Sequence, residues 1–98
     1  MSGGGEEPIR ELMEIRNEKG LHLTAAALFV GIADRFKAGA EVMVSKDGRS
    51  VNGHSIMGIL TLGAEQGSQI EVVATGPLAS EAMAAIRDLV ERRFNEEK

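Results

Sequence analysis

Apolar and polar residues alternate in several short stretches of this chain, and between them apolar residues recur at helical spacing. From Ile9 to Asn17, Met13 and Ile15 fall on one face and Glu14 and Arg16 on the other, predicting a strand whose alternation Leu12 interrupts. Ala26, Phe29, Val30, Ala33 and Phe36 then make the stripe of an amphipathic helix that Gly39 is expected to close. Ala40, Val42 and Val44 alternate with Glu41, Met43 and Ser45, a half-buried strand, and Asp47-Gly48 predicts a tight turn into a returning arm over Arg49 to Asn52. Ser55 is a good N-cap for a short, strongly apolar helix from Ile56 to Leu62 that ends at Gly63. Ile70, Val72 and Ala74 mark a last strand. Gly76-Pro77 is expected to open a last helix with Ala82, Ala85, Ile86, Leu89 and Val90 inward.

The order β-α-β-β-α-β-α predicts an α+β fold in which three helices cover one face of a four-stranded antiparallel sheet and the other face meets water. Residues 1–8 read as a flexible leader ahead of a single domain over 9–98.

Composition narrows the chemistry. The absence of cysteine removes disulfides, thiol catalysis and cysteine-ligated zinc, and the two histidines, His22 and His54, lie too far apart in sequence for a common metal motif, so neither metal nor cofactor is expected. Net charge is −4 with no basic block, and all three aromatics are phenylalanine, which disfavours nucleic-acid binding. No apolar run is long enough for a membrane span, and no secretion signal is visible, so the cytoplasm is the expected location. Neither GxGxxG nor GxxxxGK[ST] is present, so no phosphate loop is expected.

The candidate chemistry lies at Gly20-Leu21-His22-Leu23-Thr24-Ala25-Ala26-Ala27, where a strand passes into a helix. A side chain there faces the unpaired N–H groups of the first turn and the positive end of the helix dipole, a setting suited to an anionic group. That potential favours the neutral, nucleophilic imidazole, and N–H groups at Leu23 to Ala25 are placed to bind phosphoryl oxygens. The alternative is that His22 does no more than start a helix.

These elements, with Gly-Leu-His at 20–22 and Val-Asn-Gly-His-Ser-Ile-Met-Gly-Ile-Leu-Thr-Leu-Gly at 51–63, resemble the HPr family, the histidine-containing phosphocarriers of the bacterial phosphotransferase system. The resemblance spans about residues 10–95 and implies an HPr-like open-faced β-sandwich. It further implies that His22 accepts a phosphoryl group from phosphorylated enzyme I and passes it to a histidine on an enzyme IIA-type protein. Ser55 would match the serine that some members offer to HPr kinase/phosphorylase. Ala27, Ile56, Met57 and Leu60 would form the surface that docks partners, with Leu28 extending it, and a monomer is expected.

The family pattern departs at Leu23, Thr24 and Ala25, where alanine, arginine and proline are usual. Thr24 offers one hydroxyl in place of a cation with forked donors, a loss of about 1.5–3 kcal/mol for a charged contact. Gly31 and Asp34 make the first helix less basic than in many relatives, which weakens steering toward an acidic partner. The competing function is therefore a regulatory binding module that no longer relays phosphate through His22. His54 is expected to be exposed and solvated, or else to pair with a phosphate. Glu81, Glu91, Glu96 and Glu97 read as solvated helix faces, and Ile59 and Leu62 as core.

Overall fold

The computed structural model describes residues 7–98. Most of the proposed leader lies outside that range. The elements are β1 (Ile9–Glu14), α1 (Leu23–Arg35), β2 (Glu41–Lys46), β3 (Arg49–Asn52), α2 (Ile56–Leu60), β4 (Gln69–Thr75) and α3 (Ala79–Glu91), followed by a short turn of helix at Arg93–Asn95. The strands form one antiparallel sheet in the order β1-β4-β2-β3.

Register explains how the alternating residues share faces. Met13 pairs with Ile70, and Val44 with Val72, so Met13, Val42, Val44, Ile70, Val72 and Ala74 line one side of the pleat. Against them pack Phe29 of α1, Ile59 of α2, Met83, Ile86 and Leu89 of α3, and Phe94 beyond α3, each at most 1% exposed. The opposite face carries Leu12 and Met43 in the open. Leu12 is 67% exposed: it sits in step with Arg10 and Glu14 on the outer face and does not interrupt the alternation after all.

Several expected boundaries shift. β1 ends at Glu14 because Ile15 bonds the turn before β4, donating to Ser68 O and accepting from Gly67 N–H, both at 2.8 Å, and Asn17 then turns the chain. α1 stops at Arg35 with Phe36 as its C-cap. Gly39 lies in the following turn, where its N–H donates to Phe36 O, and does not terminate the helix itself. Pro77 stands two residues ahead of α3 and is not in its first turn. On α3, Ala85 is half-buried, while Ala79 and Met83 join Ala82, Ile86, Leu89 and Val90 inside. Asp47 and Gly48, at φ 53° and 82°, make the hairpin turn as their sequence predicts.

One charged pair spans the helix-covered side. Arg87 of α3 grips Glu11 of β1 with two donors, its Nε at 2.9 Å from Oε1 and an Nη on Oε2. Hydrogen bonding from Arg87 outweighs partial burial and holds the Glu11 carboxyl below the usual glutamate range. A carboxyl depressed by folding stabilises the fold above its unfolded value and loses that contribution as pH falls through the lower folded value. Thermal melts of wild type and Glu11→Gln should therefore differ most near neutrality, with wild type the more stable, and converge as the pH falls through the folded-state value.

Candidate functional site

The connection from β1 to α1 is shaped around one amide. Asn17 is fully buried, and its Nδ2 donates to Gly20 O at 2.8 Å and to Glu96 Oε1 at 3.1 Å. Gly20 sits at φ 69°, and a Cβ there would lie 2.5 Å from Ala64 O, so only glycine fits. Leu21 N–H donates to the same Ala64 O at 2.9 Å, and the Leu21 side chain enters the core. His22 is thereby held in extended geometry as the N-cap of α1, its carbonyl accepting the Ala26 N–H at 2.8 Å. The N–H groups of Leu23, Thr24 and Ala25 precede that first helical bond, and no side chain caps them.

Glu96 is a neighbour of His22 that the sequence pattern does not announce. It is no solvated helix residue: α3 ends at Glu91, and the chain folds back so that Glu96 Oε2 contacts His22 Nε2 while Oε1 takes the Asn17 amide. The reversal runs through Arg93, Phe94 and Asn95, all at positive φ (57°, 53° and 65°). Left-handed backbone costs roughly 1–2 kcal/mol per non-glycine residue and persists only where surroundings enforce it. Here Phe94 is locked in the core, Arg92 Nε donates to Asn95 Oδ1 at 2.7 Å, and Lys98 O accepts the Glu18 N–H. Burial opposes the Glu96 charge, yet hydrogen bonds from His22 and Asn17 and nearby positive charge, that of Lys19 included, hold its carboxyl below the usual range. No local pattern marks Glu96, 74 residues away from His22, as its partner.

His22, Thr24, Glu96 and Glu97 share a cleft of about 400 Å³ with Glu18, Lys19 and Lys98. Thr24 is exposed on the first turn of α1 and lines this cleft. The cations at its rim come from Lys19 and Lys98, on the preceding turn and the tail. Leu23 stands 63% exposed beside His22.

Ser55 caps α2 as expected, its Oγ accepting the Gly58 N–H at 3.0 Å. α2 packs beside α1. Met57 projects from α2 at 71% exposure and Ala27 is open on α1, but Ile56, Leu60 and Leu28 are half-buried against the core, so the apolar surface is narrower than the sequence suggests. Ile59 and Leu62 are core residues. His54 is not solvated. Its Nδ1 donates to Asp34 Oδ1 at 2.8 Å and its Nε2 accepts the Val42 N–H at 3.2 Å, which ties α1, β2 and the start of α2 together. Asp34 thus serves an internal pair as well as the outer face of α1. Among the described residues no cluster of three or more histidine or acidic side chains could hold a metal ion, and no helix is long and apolar enough to cross a membrane.

Fold and site together define a small open-faced β-sandwich with a histidine at a helix start. The sequence profile for the PTS HPr component phosphorylation site matches residues 9–92. Phosphocarrier protein HPr of Neisseria meningitidis is 41% identical over 88 residues, which cover 90% of this chain and 97% of that protein. The HPr-like protein Crh of Halalkalibacterium halodurans is 37% identical, over 86% of this chain and 98% of its own. A crystal structure of HPr from Thermoanaerobacter tengcongensis superposes with a TM-score of 0.86 at 42% identity, covering 92% of this chain and 99% of that one. The chain belongs to the HPr family of the bacterial phosphotransferase system.

Asn17→Ala removes the shared donor and leaves Gly20 O enclosed without it. The expected loss is about 1–3 kcal/mol. Differential scanning calorimetry should show the melting temperature falling by about 4–8 °C per kcal/mol lost.

Proposed function

We propose that this chain is a phosphocarrier in which His22 accepts a phosphoryl group from phosphorylated enzyme I and delivers it to an enzyme IIA-type acceptor. The observation that carries this reading is the position of His22: the N-cap residue directly ahead of the uncapped N–H groups of Leu23, Thr24 and Ala25. In-line attack by a ring nitrogen forms the nitrogen–phosphorus bond as the bond from phosphorus to the donor breaks, its electron pair returning to the donor. The transferred oxygens then find backbone donors and the positive end of a 13-residue helix. Such transfer rests on positioning and charge stabilisation.

Thr24 makes the carrier slower than a member with arginine there. The lysines at the cleft rim, Lys19 and Lys98, supply positive charge from a different direction. Met57 and Ala27, with the half-buried Ile56 and Leu60 beside them, are the surface on which donor and acceptor dock in this reading, and Ser55 is the candidate for HPr kinase/phosphorylase. Phosphate on Ser55 would place about −1.5 to −2 charges next to that surface and change docking without melting α2, whose positive end it would face.

A second reading has one feature in its favour: Thr24 contributes no cation where a carboxylate, Glu96, already touches the ring. In it the chain acts as a regulatory module through Ser55 and the α2 surface, as an HPr-like protein that does not relay phosphate.

Incubation with phosphoenolpyruvate and enzyme I from the same host, followed by a Phos-tag gel, separates the two. The carrier reading expects an acid-labile shift in wild type that His22→Ala abolishes, and a rate roughly ten- to hundredfold higher in Thr24→Arg. A folded wild type that never shifts transfers the case to the regulatory reading. For Ser55, the Ala variant should lose about 1 kcal/mol of stability with its cap and should take no phosphate from HPr kinase/phosphorylase. Acid-stable labelling that persists in Ser55→Ala would assign that modification elsewhere.

A further inference from the structure

The hydrogen-bond ladder between β2 and β3 is completed by a side chain. Asn52, the last residue of β3, stands opposite Met43, so the next residue, Gly53, comes opposite Val42. Gly53 N–H donates to Val42 O at 2.7 Å, as a strand residue would. A Cβ on Gly53 would lie 2.7 Å from Val42 Cγ1, so the chain passes this close only as glycine. An antiparallel pair of this kind normally returns a carbonyl to the partner's N–H. Here the chain is already turning toward α2, and the Val42 N–H donates instead to His54 Nε2 at 3.2 Å. An imidazole stands in for a carbonyl.

A carbonyl accepts at any pH, whereas a ring nitrogen accepts only while it carries no proton. The Val42 bond therefore requires the neutral ring with its one proton on Nδ1, where it is donated to Asp34 Oδ1 at 2.8 Å. A second proton, taken from solvent onto the Nε2 lone pair, sets two donors against each other and removes that bond. The charged ring then has somewhere to go. It borders a cleft of about 370 Å³ whose charged lining is Asp34 of α1, Lys37 of the following turn and Glu41 of β2. Toward β3 it meets Met43 and Asn52, which add no charge. Two carboxylates attract a positive ring there and one lysine opposes them. We propose that His54 is a proton-operated latch at the start of α2. Neutral, it holds residues 52–55 against β2 through Val42. Protonated, it keeps Asp34, releases Val42 and turns into the cleft toward Glu41, which loosens the start of the helix that follows Ser55 and carries Met57. The Ser55 cap and the Gly53 bond to Val42 O remain, so α2 loosens and does not melt. The latch itself does not involve His22; only its consequence for partners, weaker docking in acid, rests on the docking role given to Met57 above.

The test is a pH series by nuclear magnetic resonance on the isotope-labelled full-length protein, with no phosphate donor or partner present. Above the titration of the His54 ring, long-range proton–nitrogen spectra should show Nδ1 protonated and Nε2 bare. As the ring takes up its second proton, the Val42 amide proton should move upfield with the same midpoint, and the amides from Ser55 to Ile59 should move with it. In the protonated state the Val42 amide should exchange with solvent faster, relative to the neutral state and after the ordinary pH dependence of exchange is removed, by roughly fivefold or more, the scale of one hydrogen bond. His54→Gln, whose side chain does not titrate, should show no such step. In Asp34→Asn the step should persist and follow the ring, since the imidazole and not the carboxylate operates the latch. The wild-type series alone can sink the idea: a neutral ring protonated on Nε2, a Val42 amide that stays still through the His54 titration, or α2 amides that do not follow Val42 each overturn it. So does a step that survives in His54→Gln, or one lost in Asp34→Asn while the ring still titrates.

Discussion

Asn17 is the one fully enclosed polar side chain among the described residues, and an enclosed amide must find its partners inside the protein. Its two donors go to Gly20 O, which shapes the approach to α1, and to Glu96, which captures the far end of the chain. Its Oδ1 is enclosed without a hydrogen bond. With both donors committed to the two anchors, the amide cannot rotate to satisfy its oxygen without releasing one of them. The position of His22 follows from this arrangement: Gly20 turns, Leu21 plugs the core, and the next residue arrives at the helix start with its ring against a carboxylate.

Around that junction the rest of the molecule is a one-sided sandwich. The sheet buries the Val42, Val44, Ile70 and Val72 side under α1 and α3, and its other side stays open. α2 is too short to be stable by itself and depends on Ile59 and Leu62 reaching the core and on the Ser55 cap. His54 adds a third tether. By donating to Asp34 and accepting from the Val42 backbone it ties the start of α2 to α1 and β2.

The cleft beside His22 carries charges of both signs. A carboxylate touches the ring, the helix offers the Thr24 hydroxyl, and lysines stand at the rim. An ammonium on a flexible stem neutralises an anion from a distance but does not orient it as a guanidinium fork does. In the proposed carrier, orientation of an anion would therefore fall to the ring itself and to the backbone donors of α1. Both depend on Asn17 and Glu96 keeping their geometry.

Periodicity along the chain determined the element order, the antiparallel one-faced sheet, the hairpin at Asp47-Gly48 and the cap at Ser55, because each arises from interactions within a few residues or from a repeat of two or 3.6. The motifs at 20–22 and 51–63 likewise single out His22 and Ser55 as candidate residues. Tertiary structure alone decided which apolar residues of α2 and α1 stay exposed, since Ile56, Leu60 and Leu28 share a pattern with Met57 but meet different neighbours. It alone turned His54 inward onto Asp34 and Val42. It alone brought Glu96 to His22 as well, because three consecutive left-handed residues in a non-glycine sequence have no local cause: they exist because Phe94 must fill the core while a carboxylate beyond it meets a buried amide. A contact between residues 17, 22 and 96 is enforced by packing, which a linear pattern does not encode.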